Sequence, residues 1–375
     1  MAALLDTIDP EGLEEFSVVF TDRSLNHMSA VFQRVMLDIS EMLREVYNAS
    51  SVTVIPGGGT YGMEAVARQF ARNANVLVVR NGWFSYRWSQ IFEMGGLAAS
   101  TTVMKARQTG NSSPSPFAPA PIDEVVSAIR EQRPDVVFAP HVETAAGVIL
   151  PDDYITAMAA AAHEVGALMV LDCIASGCVW VDMGATGVDV LISAPQKGWS
   201  ASPCAGLVMM SERGEARLAE TESDSFAIDL KKWRQIMQAY EDGGHAYHAT
   251  MPTDALRAFR DTMAETRDYG FDKLCEAQWD LGNGVRAMLK DKGIVSVAAD
   301  GFGAPGVVVS YTSDPDIKTG KKFAALGMQI AAGVPLQCDE PADFSTFRLG
   351  LFGLDKLYDV EGTIARLHRV LDQVL

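Results

Sequence analysis

Between residues 50 and 212 the chain alternates short apolar runs with longer amphipathic segments, and no other feature restricts its fold so strongly. The runs occupy residues 52–55, 76–79, 136–139, 167–171, 188–193 and 206–210. Each is too short to be a buried helix. Helical periodicity fills most of the gaps, at residues 62–73, 86–95, 122–132 and 152–165. This pattern predicts βαβ units and therefore a mainly parallel sheet covered on both faces. Ligands in such sheets bind beyond the carboxyl ends of the strands. The residues that follow each run are thus where chemistry is expected.

Residues 107–121 carry four prolines with several Ser, Gly and Asn residues, and predict an exposed loop. After residue 212 the texture changes. A helix is expected at 231–240, then one long helix or two abutting ones over 254–290. Strand-like segments follow at 307–311 and 346–352, and an amphipathic helix closes the chain at 360–374. These elements describe a smaller α+β domain. A helix over 28–47 belongs either to the edge of the large domain or against a dimer partner. The expected organisation is an N-terminal segment, 1–45, contributing to pocket or dimer, a large domain, 46–252, and a small C-terminal domain, 253–375.

The net charge of −17 repels phosphate backbones and anionic lipid, so neither nucleic acid nor a membrane surface is an expected partner. Residues 157–181 form a long apolar stretch, but His163, Glu164 and Asp172 interrupt it, and it reads as helix, turn and strand. The five cysteines, Cys173, Cys178, Cys204, Cys275 and Cys338, fit no zinc spacing and point to reduced, buried thiols. The first ten residues hold two acids and no base, unlike a signal or transit peptide, and the cytoplasm is the expected location.

Five strand ends carry candidate chemistry. Lys197 lies in Ser193-Ala194-Pro195-Gln196-Lys197-Gly198-Trp199, just after an apolar run. Asp172 ends the preceding run, 25 positions upstream. Pro56-Gly57-Gly58-Gly59-Thr60-Tyr61-Gly62 follows a strand and opens a helix, where backbone amides and the helix N-terminus favour a phosphate. It lacks the Gly-Lys-Ser/Thr ending of a P-loop and the spacing of a dinucleotide fingerprint, which weighs against a nicotinamide oxidoreductase. Asn81-Gly82-Trp83-Phe84-Ser85-Tyr86-Arg87 offers an aromatic able to stack on a planar cofactor or to pack on the core. Pro140-His141-Val142-Glu143-Thr144-Ala145-Ala146-Gly147 clusters a histidine, a carboxylate and a hydroxyl. There His141 reads as a structural histidine, and Thr144 either caps a turn or bonds a ring oxygen. From the second domain, Arg348 lies within the apolar strand Phe347-Arg348-Leu349-Gly350-Leu351, and requires either an internal carboxylate or that of a substrate. A lysine able to form a Schiff base and a carboxylate able to pair with a pyridinium nitrogen are what pyridoxal phosphate chemistry needs.

With these motifs the chain resembles fold-type I pyridoxal phosphate enzymes of the class V aminotransferase group, most of all the alanine–glyoxylate and serine–glyoxylate aminotransferases. The Ser-x-x-Gln-Lys element and the Asp172–Lys197 spacing are its most specific marks. The resemblance implies a large α/β domain with a mainly parallel sheet between helices and a smaller C-terminal α+β domain. It makes Lys197 the Schiff-base lysine and Asp172 the partner of the pyridine nitrogen. Phe84 takes the ring-stacking position, Thr144 lies near the ring oxygen, and Gly58, Gly59, Thr60 and Gln196 hold the phosphate. Tyr247 and Thr250 match a segment that reaches the phosphate of the neighbouring subunit in a homodimer, and Arg348 matches the arginine for the substrate carboxylate. The implied reaction is transamination between a small amino acid, such as alanine or serine, and a 2-oxo acid, such as glyoxylate or pyruvate. Three departures are Thr144-Ala145-Ala146, where a Ser/Thr-rich stretch is usual, Trp199 and Cys204, where smaller or proline-rich sequences are common, and Phe16-Ser17-Val18-Val19-Phe20 in place of an N-terminal Gly-Pro-Gly. The last bears on the substrate, because in the family that segment shapes the pocket. Alternative readings are a cysteine desulfurase or lyase using Cys338, which precedes Arg348 by ten residues, and a non-catalytic binding protein of the same fold.

Overall fold

The computed structural model describes residues 7–111 and 113–375. Among them, seven strands form one sheet: β1 (Ser51–Pro56), β2 (Asn75–Arg80), β3 (Ser100–Lys105), β4 (Val136–Pro140), β5 (Leu168–Asp172), β6 (Val190–Ser193) and β7 (Ala205–Met210). Their order across the sheet is β1-β7-β6-β5-β4-β2-β3. Only β7 runs antiparallel to its neighbours. Strands β4, β5 and β6 are buried along their whole length, which is why they read as unbroken apolar runs. Edge strand β3, Ser-Thr-Thr-Val-Met-Lys, escaped the pattern because no residue of it is fully buried.

Helices α2 (Gly59–Phe70), α3 (Trp83–Gly95), α4 (Ile122–Gln132) and α5 (Asp152–Glu164) join the strands, close to their expected positions. The N-terminal helix α1 (Ala30–Tyr47) starts at Ser29, whose hydroxyl accepts from the Phe32 amide. Its buried face, Phe32, Val35, Met36, Ile39 and Leu43, packs into the large core. The Tyr47 hydroxyl meets Ser193 Oγ at 3.1 Å, at the end of β6.

The stretch expected as one long helix or two is two. Gly270, at φ 112°, separates α6 (Thr253–Tyr269) from α7 (Phe271–Asp291). Leu256, Phe259 and Met263 of α6 belong to the large core, and the second core begins at Leu274 of α7. The division expected at residue 252 therefore precedes the change of core by one helix. The smaller unit adds the sheet β8 (Val307–Tyr311), β9 (Ala331–Ala332) and β10 (Thr346–Gly350), ordered β8-β10-β9, and the closing helix α8 (Val360–Val374). Among the described residues no helix is long and apolar enough to cross a membrane.

Residues 107–121 correct the expectation of an exposed loop. Arg107–Gln108 and Phe117–Ala118 pair as an antiparallel hairpin. Phe117 is buried, and its backbone bonds Val297 and Ala299 of the smaller unit. The composition of the segment is that of a loop, but one aromatic is enough to anchor it.

Gly206 on β7 lies against α2. A Cβ there would sit 2.6 Å from the Gly62 amide nitrogen and 3.0 Å from the Gly58 carbonyl oxygen, both backbone atoms. Gly206→Ala should therefore cost about 1–3 kcal/mol. A lower urea midpoint with unchanged m-value is the expected result.

Candidate active site

The parallel strands end on one edge of the sheet, and the candidate residues follow from those ends. After β1 the chain turns at Gly57, at φ 127°, where a Cβ would strike the Tyr61 ring at 2.6 Å. Helix α2 starts immediately afterwards, and no side chain caps its N-terminus at Gly58. Gly59 is closed in: a Cβ would lie 2.6 Å from Ile174 Cδ1 and 3.2 Å from Ala194.

At the end of β2, helix α3 begins with Trp83 and Phe84. Its N-cap, Gly82, has no side chain to offer, and Glu143 from beyond β4 takes that part. Oε1 of Glu143 accepts from the amides of Phe84 (3.2 Å) and Ala145 (2.9 Å). Oε2 accepts from the Ser85 amide (2.9 Å) and hydroxyl (2.7 Å). Burial pushes this carboxyl group's pKa up, while the four donors favour its charged form. Nearby His141 is buried with Nδ1 2.7 Å from Ser176 Oγ, and burial lowers its pKa to about 4, so it is the structural histidine expected.

Asp172 ends β5 with one carboxylate oxygen accepting from the Ile174 amide at 2.9 Å. Its pKa rises to about 7, chiefly through burial and with a smaller push from Glu143; Arg87 and the Ile174 amide oppose the rise. Beyond β6, Lys197 places Nζ 5.2 Å from the centre of the Phe352 ring. Burial, followed by the charge of Arg348, pulls its pKa below the usual lysine range. The turn around it is held firmly. Cys178 Sγ donates to the Gly198 carbonyl at 3.3 Å, and Trp199 is buried against Trp180, Phe259 and Phe271.

Arg348 arrives from β10. Its Nε donates to the Ala332 carbonyl at 2.8 Å, and its guanidinium carbon lies 5.7 Å from the Phe84 ring centre. No carboxylate pairs with it among the described residues. Burial lowers its pKa.

These groups meet in a cavity of about 390 Å³. Gly59, Thr60, Phe84, Thr144, Asp172, Gln196, Lys197 and Arg348 all line it. Gly58, Tyr247 and Thr250 do not. Gly58 is the helix N-cap, and Tyr247 is half exposed with its hydroxyl 3.2 Å from Thr250 Oγ1. The lining also includes Arg87, Met63, Ile174 and Phe352, to which the sequence reading gave no role. Arg87 carried a usable signal, since it follows Phe84 by three residues on the same helix face. Cys338 is outside the lining. It is buried, donates to the Arg80 carbonyl at 3.3 Å, and burial raises its thiol pKa to about 12, which disfavours a desulfurase.

The sequence profile of the aminotransferase class-V family matches residues 10–299. The chain belongs to that family, and is by that membership a pyridoxal phosphate-dependent aminotransferase acting between an amino donor and a 2-oxo acid. It is 26% identical to alanine–glyoxylate aminotransferase 1 of Saccharomyces cerevisiae, over 78% of each chain. It is also 26% identical to 2-aminoethylphosphonate–pyruvate transaminase of Burkholderia thailandensis, over 90% of this chain and 88% of that one. Among solved structures, the subgroup IV aspartate aminotransferase of Thermus thermophilus superposes with a TM-score of 0.76 at 24% identity, covering 94% of both chains.

Asp172 supplies a test of this electrostatics in the cofactor-free protein. Its folded pKa of about 7 exceeds the ordinary 3.8, so the folded state keeps a proton there that the unfolded chain releases. That contribution to stability is complete below the unfolded pKa and lost as pH rises through the folded one. Asp172→Asn should therefore gain on the wild type as the pH climbs from about 4 to about 7 and then level off. The total gain is on the order of 2–4 kcal/mol. Urea titrations of both proteins across that range measure it.

Proposed function

We propose that this enzyme moves the amino group of a small amino acid, such as alanine or serine, to a small 2-oxo acid, such as glyoxylate or pyruvate. The observation that carries the reading is that Lys197 from the turn beyond β6, Asp172 from the end of β5 and Arg348 from β10 line one cavity. Small and apolar wall residues, Ala175, Ala331 and Val307, suit a small substrate side chain. The names of the yeast and Burkholderia relatives support a glyoxylate or pyruvate acceptor.

The cavity fits pyridoxal phosphate. A side chain at Gly59 would fill the cradle at the start of α2, and the buried Gln196 Oε1 has no protein partner. Asp172 presents an acid where a ring N–H needs an acceptor. In this reading Gly58, Gly59, Thr60 and Gln196 hold the phosphate, with Tyr247 and Thr250 serving that of the neighbouring subunit. Phe84 stacks on the ring, Thr144 bonds its oxygen, and Asp172 pairs with its nitrogen. When bound, the cofactor supplies an electron sink for charge developing at the substrate Cα. Lys197 would hold it covalently, and its freed amine would then act as general base on the substrate Cα proton and, as general acid, deliver that proton to the cofactor carbon it had held rather than back to Cα. Its depressed pKa keeps more of the amine in the neutral form this task needs. Arg348 clamps the substrate carboxylate, fixing which Cα bond faces Lys197.

A homodimer is the assembly we propose. Leu13, Phe16 and Val18 are exposed, and Tyr247 and Thr250 lie outside their own chain's cavity. A cytoplasmic location agrees with five unpaired cysteines.

Borohydride reduction of the cofactor-loaded enzyme should leave a mass adduct on the peptide containing Lys197. Lys197→Ala should lose that adduct and slow transamination by at least about 10³-fold. Normal multiple turnover by this variant would sink the assignment. Arg348→Gln should lower kcat/KM for both carboxylate substrates by about 10–100-fold, with cofactor affinity preserved. Steady-state kinetics with alanine and glyoxylate read the loss.

A further inference from the structure

Arg87 is charged, lines the cavity, and has no part in the roles assigned above. It lies one turn after Phe84 on α3, so both side chains project from one helix face. Its guanidinium carbon is 4.7 Å from the Phe84 ring centre, and NH1 donates to Thr60 Oγ1 at 3.2 Å. Thr60 stands in the first turn of α2, whose N-terminus carries no side-chain cap. Among the described residues, the charged groups lining the cavity are Arg87, Asp172, Lys197 and Arg348. No acid forms an ion pair with Arg87 there, although the chain carries a net charge of −17.

The charges can be apportioned. A phosphate monoester brings nearly two negative charges, whereas a helix N-terminus offers about half of one positive charge. Lys197 is committed to the cofactor's carbonyl carbon, and Arg348 comes from the second domain with its Nε on Ala332. Arg87 alone among the three cations is hydrogen-bonded to the glycine-loop end of α2. An arginine fork suits a phosphate's oxygens better than a solvated lysine would.

We propose that Arg87 is a cofactor-binding residue that pairs with the phosphate of pyridoxal phosphate, completing a site otherwise built from backbone amides and neutral side chains. It ties that phosphate to the stacking helix, so one short segment, Phe84 to Arg87, grips both the ring and the phosphate. The inference rests on the cofactor assignment given above.

The test uses binding without covalent chemistry. Pyridoxamine phosphate and pyridoxamine share a ring and differ in the phosphate, and neither bonds to Lys197. Calorimetric titration of the full-length cofactor-free protein should show Arg87→Gln losing about 10–100-fold in affinity for pyridoxamine phosphate while its affinity for pyridoxamine is unchanged. Arg87→Lys should retain part of that affinity, and it serves alone if the glutamine variant does not fold. Unchanged affinity for pyridoxamine phosphate in both variants overturns the proposal. So does an equal loss for both ligands, which would make Arg87 a support for the Phe84 ring. A wild-type protein that binds neither ligand would instead remove the cofactor assignment itself.

Discussion

The site depends on a buried carboxylate that does no chemistry. Glu143 is fully buried, and its two oxygens take four donors from Phe84, Ser85 and Ala145. Stripping a carboxylate of water is costly unless such donors replace it. Helix α3, for its part, begins at a glycine and has first-turn amides in need of acceptors. Each requirement answers the other. The result is a fixed angle between the turn after β4, which carries Thr144, and the helix that carries Phe84. The roles proposed for Phe84 and Thr144 would then both be set by one contact. Removing only Glu143 would leave the Phe84 and Ser85 amides of α3 without their acceptor.

The same logic explains what could be read from the sequence. Buried strands are legible because a strand covered on both faces must be apolar throughout, and the residue that ends such a run stands out. Asp172 is visible for this reason, and Lys197 because it follows such a run by four residues. Strand β3 was not, since an exposed edge has no reason to be apolar. The hairpin at Arg107–Gln108 and Phe117–Ala118 was also missed, because its prolines outweighed one anchoring phenylalanine. Glu143 could be seen as a nearby acid, but its donors come from residues 84, 85 and 145, and no local pattern reports a contact across 59 positions. Arg87 was overlooked because an arginine on a helix is ordinarily a solvated one. Tyr247 and Thr250 remain outside the cavity of their own chain.

Acid dominates the surface of the protein, yet the cavity holds three cations and one acid. The inversion is local and is held against the cost of burial. Lys197 and Arg348 each have a lowered pKa because burial disfavours their charge, and Lys197 is lowered further by Arg348. Such a cavity favours anions, and both the proposed cofactor and its carboxylate substrates are anionic. In the proposed roles Arg87 and Lys197 serve the cofactor and Arg348 a carboxylate common to the substrates, so discrimination between substrates would come from the apolar wall of Ala175, Ala331, Val307 and Phe352.

Arg348 reaches this cavity through the second domain, so the contacts between the cores govern its placement. Ser200, three residues past Lys197, accepts from the Leu354 amide at 2.8 Å, just beyond β10. On the other side Arg286 of α7 donates to the carbonyls of Gly147, Ala304 and Val307, linking the turn after Glu143 to β8. Strand β8 pairs with β10 so that Val309 stands opposite Arg348. Two polar links thus run from the lysine turn and the glutamate turn to the strands that carry or flank the arginine. A small rotation of the second unit would have to break or carry both. The placement of the Arg348 guanidinium relative to the amine of Lys197 is therefore set by the fold, not left to the reach of a long side chain.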